Sequence, residues 1–273
     1  MRLGRIPWIN ALPVNAAMDR GLVEAPATVV SATAAELNDL LAAGELDVSV
    51  ISAVEYARDA SMYQLLPDLA ISADGPVHSV MLFSMIPVDA LDGRTVLRTA
   101  SSRTSVLLLE LLCRHVWQVS PRFATVRAEA TDLDALPGLP HDAVLVIGDA
   151  ALHLQRRGTY PVQVDLGAAW KEWTGLPFVF AVWAARRDVD RVEAMALHDR
   201  LLASRAWGIE HLDLLAAEAA AQTDMPVQMV REYLGQLDYR LTPAHQLGLT
   251  SFFRHLHHDG LAPDGTFSFL TAA

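Results

Sequence analysis

Four short stretches place polar groups where a largely apolar chain would otherwise run on. In TASSRTSV (99–106) the hydroxyls of Ser101, Ser102, Thr104 and Ser105 surround Arg103, at a point where a strand-like run turns helical. Free helix N-terminal amides, the positive end of the helix dipole and a guanidinium together form an anion site. A capping serine alone would account for one hydroxyl, not four. IGDAAL (147–152) sets Gly148 and Asp149 at a second such junction. There Asp149 either caps a helix, orients Arg103 or reaches a ligand hydroxyl. PWINALP (7–13) puts Asn10 at a third junction, as an N-cap or as an amide presented to a ligand. AISADGPVHSVMLFS (70–84) interrupts two strand-like runs with Asp74, Gly75, Pro76, His78 and Ser79, polar and turn-forming residues a buried strand does not need.

The elements that must position these groups alternate. LGRIPW, ATVVSA and LDVSVISA read as strands separated by helical segments, one a helix over 10–21 and one opened by a Thr33/Glu36 capping box. GRTVLRTA, RFATVRA and AVLVIGDAAL repeat that order, with a helix over 102–117 capped by Ser102. KEWTGLPFVFAVWAARRD (171–188) reads as one long apolar strand leaving this block. From Arg191 the chain reads as helical, apart from a short return strand at LDYRLT (237–242). The βαβ order predicts parallel sheets with crossover helices. The expected architecture is an α/β, bilobal clamp: 1–86 with 185–273 as the first lobe and 87–184 inserted as the second. Two hinge strands, near 78–87 and 178–187, join the lobes, with ligand in the crevice at the carboxyl ends of the strands.

Composition limits the function classes. With 21 basic and 32 acidic residues the net charge is −11, which speaks against a nucleic-acid partner but leaves room for one local anion pocket. The single cysteine, Cys113, lies in an apolar run and reads as a buried, inert thiol. The N-terminal residues carry no secretory h-region, and the longest apolar stretch, 176–185, is about half a membrane span. The expectation is a cytoplasmic protein without membrane contact. His255, His257 and His258 do not share one helical face, so a metal cluster is not expected there. Trp170, Trp173 and Trp183 read as core.

WINALPV, GELDVSVISAVEY, ADGPVHSVMLFS, SSRTSV, VLVIGDAAL, DLGAAWKEWTGLPFVFAVWAARRD and LDYRL together resemble the chorismate dehydratase family of the futalosine route to menaquinone. The pattern departs at Trp8-Ile9 before the asparagine and at His78. The resemblance implies a type II periplasmic-binding-protein-like fold in a cytoplasmic enzyme. It implies chorismate as the small-molecule substrate, a functional pair Asn10 and Ser79 from the first lobe, and Ser102, Arg103, Thr104 and Ser105 as the carboxylate cradle. No metal or organic cofactor is implied. Two other readings remain: a 1,4-dihydroxy-6-naphthoate synthase of the same pathway, and a non-catalytic binder of an aromatic carboxylate. Fold alone does not separate them.

Overall fold

The computed structural model describes residues 1–129 and 132–271. They divide into two compact units, Met1–Ser72 with Val179–Ala273, and Ala73–Phe178.

In the first unit β1 (Arg2–Arg5) leads through a 3₁₀ turn (Ile9–Ala11) into α1 (Leu12–Asp19), shorter than the helix expected over 10–21. Pro13 suits a helix start, where a missing N–H costs nothing. β2 (Thr28–Ser31) follows, then α2 (Ala34–Ala42), whose capping box is present: Thr33 Oγ1 accepts from Glu36 N at 3.3 Å, and Glu36 Oε2 accepts from Thr33 N at 2.9 Å. β3 (Val48–Ser52), α3 (Ala53–Arg58) and β4 (Tyr63–Ala73) complete this part.

The second unit holds β5 (Val80–Ser84), β6 (Thr95–Thr99), α4 (Thr104–Leu112), β7 (Arg122–Val126), β8 (Ala143–Ile147), α5 (Gly148–Arg157), β9 (Val162–Asp165) and α6 (Leu166–Thr174). A π-helical turn at Cys113–Trp117 extends α4. The chain then returns to the first unit through β10 (Phe178–Arg186), α7 (Arg191–Glu210), α8 (Leu212–Thr223), α9 (Val227–Gln236) and α10 (Pro243–His258).

Among the described residues each unit carries a five-stranded sheet, in the orders β2-β1-β3-β10-β4 and β7-β6-β8-β5-β9. β1 is parallel to β2 and β3, and β6 to β7 and β8, as the βαβ grammar requires. β10 runs antiparallel to β3, and β5 antiparallel to β8 and β9. The two segments expected as hinge strands do contain strands: Val80–Ser84 pair with β8 and Ala181–Ala185 with β3. β5 belongs to the second sheet, where Val80–Ser84 pair with Ala143–Ile147. Buried Val48, Val50 and Ile51 fill the first core and Val144, Leu145 and Val146 the second.

Two expected elements differ. Residues 166–174 form α6, because Asp165 caps them and Gly175, in the left-handed region, stops them; only 178 onward is strand. LDYRLT forms no strand and contributes one isolated bridge, Asp238 to Ser72. Among the described residues no helix is long and apolar enough to cross a membrane.

Candidate functional site

Register collects most of the predicted groups at one end of the second sheet. Val96 to Arg98 pair in parallel with Ala143 to Leu145, so the residues after Thr99 and after Ile147 emerge side by side. Val80 pairs antiparallel with Ile147, which brings Ser79 to the same edge. Gly148 N donates to Ser79 O at 2.8 Å, closing the contact. Ser79, Ser101–Ser105 and Gly148–Asp149 therefore share the carboxyl ends of β6 and β8, where ligands of open α/β sheets bind. Gly148 has φ 63, a left-handed conformation that a Cβ disfavours.

The serine-rich corner is internally wired. Ser102 Oγ accepts from Ser105 N at 3.2 Å and donates to Ser105 Oγ at 3.0 Å. Ser102 thus does the capping expected of it, although the helix itself starts at Thr104. Ser101 N donates to Thr99 Oγ1 at 3.1 Å, and Ser101 Oγ donates to the Glu129 carboxylate. Ser101, Ser102, Thr104 and Ser105 are buried, while Arg103 is partly exposed. Asp149 lies in the first turn of α5, where the dipole favours a carboxylate; the cap position is Ile147 and has no side-chain cap bond.

Ser79 sits behind a tight turn. Gly75 has φ 125 and His78 φ 59, and Ser79 N donates to Val77 O at 2.7 Å. The residue is 3% exposed. Asp165 Oδ2 accepts from Val77 N at 2.9 Å and from His78 N at 2.6 Å. The Gly-Pro turn in the middle of an apolar path is thus a held loop delivering a serine to the start of β5.

Asn10 belongs to the other unit, in the 3₁₀ turn after β1. It caps nothing: neither Trp8 nor Ala11, the cap positions of the turn and of α1, makes a side-chain cap bond. Its Oδ1 is buried and accepts no hydrogen bond among the described residues. A buried acceptor without a donor is costly, and a ligand hydroxyl is one group that could satisfy it.

Other singled-out residues are structural. Burial, with Glu110 nearby, pushes the Cys113 thiol up to about 12, so it is not a thiolate nucleophile. Trp170 and Trp183 are core, with Trp170 edge-on to Phe178 at 5.2 Å. His255, His257 and His258 occupy the last turn of α10. Sequence reasoning passed over Glu129 and Asp165. Asp165 was findable, as an Asp two residues ahead of Gly167 where a helix begins; Glu129 carried no local signal.

Residues 1–258 match the protein family described as menaquinone biosynthesis. A chorismate dehydratase of Thermus thermophilus is 33% identical over 239 residues, covering 82% of this chain and 84% of the relative. A 1,4-dihydroxy-6-naphtoate synthase of the same organism is 28% identical over 230 residues, covering 82% of this chain and 81% of the relative. The periplasmic aliphatic sulphonate binding protein of Escherichia coli superposes with a TM-score of 0.66 at 13% identity, covering 100% of this chain and 94% of that one. That last likeness is one of fold, the periplasmic-binding-protein fold.

Proposed function

The chain belongs to the menaquinone biosynthesis family, and from that premise we propose that it is a chorismate dehydratase, eliminating water from chorismate to give 3-[(1-carboxyvinyl)oxy]benzoate. The observation that carries this reading is the gathering of Ser79, the Ser102–Ser105 corner with Arg103, and Gly148 at one sheet edge. That is the equipment for a carboxylate beside a hydroxyl. The likeness to the Thermus chorismate dehydratase supports it.

Dehydration breaks the ring C3–H and C4–O bonds and forms the C3–C4 double bond that completes the aromatic ring. The C3 proton is vinylogous to the ring carboxylate, so charge spreads into that carboxylate as the proton leaves. Arg103, the Ser102 and Thr104 hydroxyls and the start of α4 stabilise that developing charge when they hold the carboxylate. Either Ser79 or the Asn10 amide bonds the C4 hydroxyl; the buried Asn10 Oδ1 is an acceptor to which a hydroxyl can donate. The departing hydroxide takes up the proton lost from C3 and leaves as water. In this reading the substrate's own enolpyruvyl carboxylate accepts the C3 proton, with the protein supplying orientation.

Incubation of the purified protein with chorismate tests this. The expected result is a product lighter by one water with a benzoate absorption spectrum. Bound but unchanged chorismate would point to a non-catalytic binder and overturn the reading. Turnover of a naphthoate precursor with chorismate left intact would point to the sister activity.

A further inference from the structure

Asp165 ends β9 and caps α6, and it spends only half of its carboxyl group on that cap. Oδ1 accepts from Gly167 N at 2.8 Å and Ala168 N at 3.0 Å. One oxygen satisfies a helix start. The other reaches across 88 and 87 residues of sequence to the N–H groups of Val77 and His78. Those are the two residues in front of Ser79.

The loop they belong to needs holding. His78 occupies the left-handed region, which a side-chain-bearing residue enters only when its surroundings over-determine it. Ser79 is pinned from the other side by Gly148 N. Helix α6 meets the loop at two further points. A Cβ on Gly167 would lie 2.6 Å from Gly75 O, so the helix backbone packs directly on the turn. Lys171 Nζ also lies 2.5 Å from Asp74 Oδ1. Asp165, Gly167 and Lys171 thus fix the 74–79 loop along its length, and Asp165 holds the peptides nearest the serine.

We propose that Asp165 is a positioning residue for the dehydration, setting the Ser79 hydroxyl through its two bonds to the Val77 and His78 peptides. This rests on the dehydratase reading. A plain helix cap would contribute stability and leave turnover alone. A positioning group sets the hydroxyl to within a fraction of an ångström, and a small misplacement costs rate more than binding.

The test compares Asp165→Ala and Asp165→Asn with Asp190→Ala. Asp190 likewise caps a helix, accepting from Glu193 N at 2.9 Å, but holds no loop. Steady-state kinetics with chorismate and hydrogen exchange of the 77–79 amides are measured on each folded variant. Asp165→Ala is expected to lower kcat by about 10²-fold with KM within about threefold of wild type, and to speed exchange at 77–79. Asp165→Asn keeps one acceptor oxygen and should fall between; it serves in place of the alanine variant if that one does not fold. Asp190→Ala is expected to lose stability and keep kcat. A folded Asp165 variant with wild-type kcat overturns the proposal. If the wild-type protein leaves chorismate intact, the dehydratase reading fails instead. Exchange then still decides the loop contact, since unchanged protection at 77–79 would remove the hold itself.

Discussion

The two sheets follow one plan: three parallel strands, one antiparallel strand brought in from a distant part of the chain, and a last strand at the edge. Their equivalent corners are built differently. After β1 the chain offers Asn10, in a short turn, with a buried acceptor that has no donor. After β6 it offers five consecutive polar residues, of which Ser101, Ser102 and Ser105 are bonded to one another, to Thr99 or to Glu129. The second corner is held by its own hydrogen bonds, whereas the first keeps a buried acceptor without one among the described residues. A pre-formed cradle anchors charge at little reorganisation cost, while an orphaned acceptor gains most from the one group that satisfies it. On that contrast we propose a division of labour, with charge anchored at the Ser102–Ser105 corner and the chemistry carried by Ser79 and Asn10.

The largest expected effects come from breaking the chemistry side. Asn10→Ala and Ser79→Ala should each lower kcat by about 10²–10³ while KM changes little, as for loss of a group that acts in the transition state. The two should differ in stability. Asn10 Oδ1 makes no internal bond, so Asn10→Ala removes a buried unsatisfied atom and should leave Tm unchanged or raised. Thermal melts beside the kinetics check this. An Asn10→Ala protein that melts several degrees lower and turns over normally would make Asn10 a structural residue and erase the contrast.

Next in size is the anchor. Arg103→Ala should weaken binding of benzoate-type product analogues by about 1.5–3 kcal/mol, the usual contribution of a hydrogen bond to a charged group. Arg103→Lys should recover only part, because a point charge does not reproduce the planar fork. Asn10→Ala should leave the affinity for simple benzoate unchanged. Calorimetric titration of the three variants decides it. Equal losses for Arg103→Ala and Asn10→Ala would mean that both corners bind the carboxylate and that no division exists.

Much of this plan was legible in the sequence because it is written locally. The runs in β3 and β8, the Thr33/Glu36 capping box and the hydroxyl-rich start of α4 each announce themselves within a few residues. What escaped is carried by distance. Residues 78–87 read locally as a hinge strand, and nothing there announces that β5 pairs with β8, over 50 residues later in the chain. β9 is only four residues long, and the apolar content of LGAAWKEWT blends into the strand that follows. Asp165 could be read as a cap, yet its reach to Val77 and His78 spans 88 and 87 residues and leaves no local trace. The orphaned Asn10 acceptor is likewise invisible in a string of letters, since it is defined by what fails to surround it.

The smallest expected effect concerns the frame of the first unit. Two carboxyls there are held below the usual carboxylate range. The Arg2 side chain, bonding at 2.6 Å, lowers Asp47 against some desolvation. Burial pushes the Asp68 carboxyl up, but Arg205 at 2.9 Å and Arg240 at 3.2 Å outweigh it. A carboxyl whose folded value lies below its unfolded value of about 3.9 stabilises the fold at higher pH, and that contribution fades as pH falls through the folded value. Asp68 is 34% exposed and the Arg2 partner of Asp47 is 45% exposed, so solvent screening limits each contribution to about 1 kcal/mol or less. In a chain of this size that corresponds to about 2–4 °C in Tm or less. Asp68→Asn should therefore melt slightly below wild type near neutrality, with the gap closing as pH falls below about 4 and through the lowered Asp68 value. Amides of β1 and β3 should lose protection over that interval in wild type more than in the variant, with those of β6 and β8 as the internal reference. A gap that stays constant down to the acid limit would mean that Asp68 contributes through packing instead of charge, and the acid sensitivity of the first unit would have to be sought at Asp47.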